Sequence, residues 1–207
     1  MRIVIDMQAA QTGNAPSGIS QYTVAFSQAL VRNRGSHEVF LALNGMLPRT
    51  IEPLRAAFEG LLPQENIRLW YAPGPVKAAS VGNEGRREVA ELVREAFLAS
   101  LQPDIIHISN LFEGYDSEVV TSACCFDKIT PISVLVYDPL FFDEKHFFFT
   151  KKDSCNEFFK NKIEQLKKTV VCFSVSENVT VFLSRYLSGA QTKIITLEEP
   201  DSKSMNF

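Results

Sequence analysis

Short apolar runs rich in β-branched residues recur along this chain, and segments with helical spacing stand between them. That alternation limits the fold more than any other feature of the sequence. Met1 to Met7 (Met-Arg-Ile-Val-Ile-Asp-Met) opens the series as a strand of the kind buried on both faces. Glu38 to Leu43, Ile67 to Ala72, Asp104 to Ser109, Pro131 to Tyr137, Val170 to Val175 and Lys193 to Leu197 repeat the pattern. Between them, Tyr22, Phe26, Ala29 and Leu30 fall on one helical face, and Ile51 to Leu62 has the same period, with Gly60 and Pro63 at its end. Asn83 is placed to cap a helix over Glu84 to Leu101. There Val89, Leu92, Val93, Ala96 and Phe97 make the apolar stripe, and Arg86, Arg87, Glu91, Arg94 and Glu95 read as a solvated face. Asn156 to Lys168 reads as a basic amphipathic helix and Glu177 to Leu187 as the last helix. Strand–helix alternation of this kind predicts an α/β fold, a Rossmann-like doubly wound parallel sheet with helices on both faces. The expected organisation is a single domain over 1–197, followed by a polar tail over 198–207.

Composition narrows the function classes. An apolar fraction of 45% with 22% charged residues suits an ordinary globular core. A net charge of −3 gives no broad electrostatic reason to bind nucleic acid. No apolar run approaches the ~18 to 20 residues of a membrane span. Arg2, three apolar residues and then Asp6 do not read as a signal peptide. Cys124, Cys125, Cys155 and Cys172 lack C-x-x-C spacing and the three histidines are scattered, so no zinc site is expected. Four reduced thiols point to a cytoplasmic setting. Without a secretion signal, the sequon at Asn178-Val179-Thr180 reads as chance.

In a parallel sheet of this type, ligands bind at the carboxyl ends of the strands. The residues expected there are Met7 to Ser20, Asn44, Ser109 to Glu113, Tyr137 with Asp138, and Ser176 with Glu177. Two nucleotide motifs fail by spelling. Gly13 to Gly18 has Walker glycine spacing, but Ile19 stands where the phosphate-gripping lysine belongs. A dinucleotide fingerprint needs a glycine triplet and a carboxylate after the second strand, and Ala42-Leu43-Asn44-Gly45 supplies none. A nicotinamide oxidoreductase is therefore a poor fit.

Five segments in order resemble family 4 glycosyltransferases, the bacterial enzymes of O-antigen and capsular polysaccharide synthesis in particular, mannosyltransferases among them. They are Met1 to Gln8, Gly18-Ile19-Ser20-Gln21-Tyr22, Ser109 to Gly114, Tyr137-Asp138-Pro139-Leu140 and Phe173 to Glu177. The resemblance implies the N-terminal, acceptor-side half of a GT-B fold, retaining chemistry and a nucleotide-sugar donor of the GDP-mannose class. It implies that this chain itself binds no cofactor. The donor is held by a second domain that carries two glutamates with seven residues between them, a spacing absent from this sequence. The chain thus reads as a truncated enzyme or as half of a split one, and a non-catalytic remnant or binding module for a glycan or protein is the alternative. The family loop commonly spells Gly-Ile-Gly-Arg-Tyr. Ser20 and Gln21 remove a backbone approach point and a fixed cation.

The candidate site residues each have a plainer reading. Asp138 either orients an acceptor hydroxyl as the catalytic candidate or caps the turn before Pro139. For the acceptor and phosphate cleft the candidates are Gly18, Ser20, His107, Ser109, Glu113 and Tyr137. Gly18 permits close backbone approach. His107 lies inside an apolar strand and reads first as a hydrogen-bonded core histidine, second as an acceptor contact. Glu113 serves the cleft or a helix N-terminus. No metal ligands are expected. The implied partners are a sugar or lipid-linked glycan acceptor and a donor-domain chain. Phe141-Phe142 and Phe147 to Phe149, with Lys145, Lys151, Lys152, Lys160, Lys162, Lys167 and Lys168, offer a membrane-surface contact at the inner membrane face. The simpler account is core aromatics beside a solvated helix face, and cover for the absent half is a third.

Overall fold

The computed structural model describes residues 1–12, 17–137 and 153–197. Seven strands form one parallel sheet in the order β3-β2-β1-β4-β5-β6-β7. They are β1 (Arg2–Asp6), β2 (Glu38–Asn44), β3 (Ile67–Trp70), β4 (Ile105–Ile108), β5 (Ile132–Val136), β6 (Val171–Ser174) and β7 (Lys193–Thr196). The helices are α1 (Gly18–Arg32), α2 (Ile51–Ala57), α3 (Glu84–Ser100), α4 (Asp153–Leu166) and α5 (Glu177–Tyr186). The expected doubly wound architecture is present, and every pair of neighbouring strands is parallel.

Register fixes which side chains face which layer. Ile5 pairs with Leu41 and His107, and Val4 with Phe40 and Ile106. Alternation along each strand then sends Ile5, Leu41 and Leu43 to the layer containing Val31 of α1 and Leu54 of α2. Val4, Ile106, Ile108, Val134 and Cys172 face the opposite layer, with Leu98 of α3, Phe159 and Ile163 of α4, and Leu183 of α5. Both faces are buried, which is why the strands read as unbroken apolar runs. Helix α2 stops at Ala57, short of the expected Leu62, because the chain turns at Phe58 and Gly60 takes φ +72°.

The alternation breaks once. Residues 109–131, between β4 and β5, contain no helix, and much of this irregular crossover is buried. Buried backbone without a ladder needs side-chain partners, and six from outside the crossover supply them. Gln8 Nε2 donates to the Val120 carbonyl, and its Oε1 accepts from the Val120 N–H at 3.1 Å. Arg87 Nη1 donates to the carbonyls of Val76 and Gly114, both at 3.0 Å. Arg94 Nη1 donates to Ser122 O at 2.9 Å, and Lys162 Nζ to Thr121 O. Gln165 Oε1 accepts from Ala123 N–H at 3.0 Å. The Glu95 carboxylate accepts from the N–H groups of Cys125, Phe126 and Asp127.

This arrangement rotates α3 from the expected orientation: Val93 and Phe97 of the expected stripe pack against the core, but the rest of it does not. Arg87, Arg94 and Glu95 are buried, whereas Val89 and Leu92 are 48% and 44% exposed. The charged face turns inward because the buried crossover needs its donors and acceptors. Asn83 precedes α3 without a side-chain capping bond; its Nδ2 donates instead to Lys77 O at 3.1 Å. The basic face expected for α4 is also divided: Lys162 is 2% exposed, over the Phe158 ring and 3.6 Å from Glu91. Burial pulls its ammonium down to about 8, against the pull of Glu91. At the crossover's start only glycine fits position 114, since φ is +101° and a Cβ there would lie 2.3 Å from Val119 O.

Candidate functional site

The direction in which the sheet is wound reverses between β1 and β4. From β1 the chain winds toward β2, and from β4 toward β5, so a crevice opens above the carboxyl ends of these adjacent strands. Asp6, Met7 and Gln8 leave β1 here, and Ser109 and Asn110 leave β4. Ser109 forms the floor: its Oγ donates to Asp6 O at 2.8 Å.

A buried polar frame holds the β1 side. Asp6 Oδ2 accepts from Arg94 Nε at 2.9 Å and also from Nη2, with both side chains at 1% exposure or less. Asp6 Oδ1 accepts from the Gln8 N–H at 3.2 Å. Asn44 Nδ2, from the end of β2, donates to Gln8 Oε1 at 3.1 Å, and Gln11 Oε1 accepts from Asn44 N–H at 2.7 Å. The turn over Gln8–Gln11 is therefore fixed in place before any ligand arrives. Sequence reading missed Asp6, Gln8 and Arg94 as a unit. The available signal was Asp6 at the end of an apolar strand, since a carboxylate there must meet a cation.

The β5 side holds the accessible chemistry. Tyr137 follows β5, and its hydroxyl lies 2.8 Å from Thr23 Oγ1 on α1. The Tyr22 ring meets it edge-on, with centroids 5.3 Å apart. Glu113 is half-buried, and its Oε1 accepts from Asn110 Nδ2 at 3.0 Å. Burial raises the Glu113 carboxyl above the ordinary glutamate range, and the Asn110 bond opposes this. The same cause raises the Tyr137 phenol, to which the nearby Tyr22 and Glu113 add. A carboxyl raised by burial near the Tyr137 phenol has the chemistry of a proton donor or acceptor.

The other candidates are placed as follows. Gly18 is the first residue of α1, with open space where a Cβ would stand. Ser17 Oγ caps this helix by accepting from Ser20 N–H at 3.2 Å, and Ser20 Oγ donates to Ala10 O at 3.1 Å. Ser20 thus ties α1 to the turn after β1. His107 lies beneath α1, away from the crevice mouth. Its ring stacks on Phe26 at 5.0 Å, and Nδ1 is 3.0 Å from Ser133 Oγ. Burial lowers it to about 4, so it is neutral at pH 7. Glu113 and Tyr137 are close enough to interact, Ser109 is buried against Asp6, and His107 sits in the core layer. Asp138 and the phenylalanine stretch over 141–149 lie outside the described residues. A separate cavity of about 560 Å³ opens between α3 and α4, lined by Arg87, Glu91, Cys125, Phe158 and Lys162 among others, and shares no wall with these residues.

No protein-family model matches the chain. It is 28% identical to a serotype-specific mannosyltransferase WbdA of Escherichia coli over 201 residues, 95% of this chain and 24% of that protein. Two further Escherichia coli WbdA mannosyltransferases are 26% and 24% identical, each over 83% of this chain and 21% of their own length. The chain spans about a quarter of the length of the curated relatives it matches. These relatives bear out the likeness read from the motifs: the chain is related to mannosyl-transferring glycosyltransferases, as a Rossmann-like α/β domain far shorter than they are.

Proposed function

We propose that this chain is the acceptor-side wall of a retaining glycosyltransferase that moves mannose from a GDP-mannose-class donor to a growing bacterial surface polysaccharide. A sugar or lipid-linked glycan enters the crevice between β1 and β4. Glu113 and Tyr137 hold its hydroxyls, and Asp138, next after Tyr137 in the sequence, is the further catalytic candidate. The groups that stabilise the leaving diphosphate belong to a donor-binding domain, in a longer polypeptide or a partner chain. The reading implies a cytoplasmic setting, peripheral to the inner membrane where the acceptor is lipid-linked. Among the described residues no helix is long and apolar enough to cross a membrane.

The observation that carries this reading is the half-buried Glu113 beside Tyr137 at the sheet's switch point, in a chain related to mannosyltransferases over nearly all its length. The test is reconstitution with a separately expressed donor-side domain that carries the paired glutamates. Mannose transfer from GDP-mannose to a mannosyl glycan is expected only when both parts are present. Transfer by this chain alone, or none by the pair with a glycan that this chain binds, overturns the reading.

A non-catalytic glycan-binding module is the second reading. It draws support from Ser20, which stands where the family has glycine and spends its hydroxyl on Ala10 O. Glycan binding that persists while every donor-domain pairing stays inactive is its expected signature.

A further inference from the structure

Helix α3 presents an apolar stripe to solvent because its charged side serves the buried crossover. Gly85, Val89, Leu92 and Ala96 are all exposed, and steps of four, three and four residues put them on one line of the helix. Five of the eleven exposed large apolar side chains among the described residues lie on or beside this helix: Val81, Val89, Leu92, Phe126 and Ile129. Such concentration marks an interaction surface rather than scattered surface apolarity.

The stripe matches itself. Its order is small, large, large, small at 85, 89, 92 and 96, the same in either direction. A two-fold axis between Val89 and Leu92 lays Val89 of one copy on Leu92 of the other, and Gly85 on Ala96. An isologous contact requires that self-complementarity. Charge at the flanks agrees with it. Glu84 and Glu88 are exposed in the N-terminal half of α3, with Val81, 98% exposed, just before it. Beside the C-terminal half, Glu95 anchors the turn that carries Phe126, Lys128 and Ile129, accepting from Phe126 N–H at 2.8 Å and Asp127 N–H at 2.9 Å. Lys128 is exposed and Ile129 is 92% exposed. An antiparallel crossing brings Glu88 toward the second copy's Lys128 and Val81 toward its Ile129.

We propose that the outer face of α3 is an isologous homodimer interface, two copies crossing antiparallel at Val89 and Leu92. The occupant is a second copy of this chain because the stripe is its own complement and its acidic and basic flanks lie at opposite ends.

Sedimentation equilibrium of the full chain, from low to high micromolar concentration, tests this. The expected mass rises from 23.2 kDa to twice that value. Leu92→Glu weakens association at least about tenfold. Glu88→Lys also weakens it, and adding Lys128→Glu restores it. Val181→Glu, at a site on α5 that is 48% exposed, leaves it unchanged. Each substitution is at an exposed position, and circular dichroism checks that the fold is kept. A mass of 23.2 kDa at every concentration overturns the proposal, as expected if α3 serves another domain of a longer polypeptide. So does a charge swap that fails to restore association, or a dimer as sensitive to Val181→Glu as to Leu92→Glu.

Discussion

Arg94 on α3 grips Asp6 at the end of β1 and, with its other terminal nitrogen, the carbonyl of Ser122 in the β4–β5 crossover. One guanidinium therefore joins the floor of the crevice, the helix behind it and the irregular segment that replaces a crossover helix. Nothing in this link is solvent-screened, since Arg94 is fully buried. Its planar fork suits the double task, because separate nitrogens reach Asp6 and Ser122, whereas a lysine would bring all its donors on one nitrogen.

Arg94→Met is expected to destabilise the fold by about 3 to 5 kcal/mol, because it leaves the Asp6 carboxylate buried without its cation. Adding Asp6→Asn should recover at least about 1 kcal/mol of that loss. Urea unfolding of the two variants and the parent measures both effects. Equal destabilisation by the single and the double variant would show that the ion pair is not the cause.

Acid sensitivity should trace to His107. Its folded value, about 4, lies below the ordinary 6.5, so the unfolded chain binds the proton first as pH falls. The neutral ring's contribution is complete above about pH 6.5 and is lost progressively toward pH 4, a loss of up to about 3 kcal/mol. His107→Gln, which retains a polar partner for Ser133, should flatten the stability profile across that window. Urea midpoints measured from pH 7 to pH 4 give the comparison.

The two faces of α3 should respond differently to truncation. Leu98 is 1% exposed and packs in the main core, so Leu98→Ala is expected to cost about 2 to 5 kcal/mol. Leu92→Ala should stay within about 0.5 kcal/mol at concentrations where the chain is monomeric. Chemical denaturation at low protein concentration separates them. The reverse order would place the sequence-predicted stripe back in the core.

For the proposed transfer reaction, Glu113→Gln in the reconstituted pair should lower kcat/KM by about 100-fold. The raised Glu113 carboxyl should put the acidic limb of the pH–rate profile above the usual glutamate range, and the substitution should remove that limb. Tyr137→Phe, which loses only the hydroxyl shared with Thr23, should cost about tenfold or less. Steady-state kinetics across pH reads all three.

Strand content, helix order and the parallel sheet were legible because burial on both faces writes unbroken apolar runs into a chain. The positions of Ser109, Glu113 and Tyr137 just past the ends of β4 and β5 followed from the strand boundaries. His107 sits inside a strand, and only register decided that it points toward Phe26 on α1. The reading of α3 failed in part for a definite reason. Hydrophobic periodicity assumes that a helix packs only against apolar neighbours, whereas α3 packs Ala90, Val93, Phe97 and Leu98 into the core and also meets a buried backbone whose N–H and C=O groups need Arg87, Arg94 and Glu95.

The sequence by itself determined the class of fold, the order of its strands along the chain and its likeness to the glycosyltransferases, since period, turn residues and short motifs are local properties. Tertiary structure alone decided that Asp6 meets Arg94, that six side chains from elsewhere in the chain serve the crossover, and that Val89 and Leu92 face outward. Those outcomes depend on which unpaired backbone groups come together in space, and no spacing along one chain encodes that.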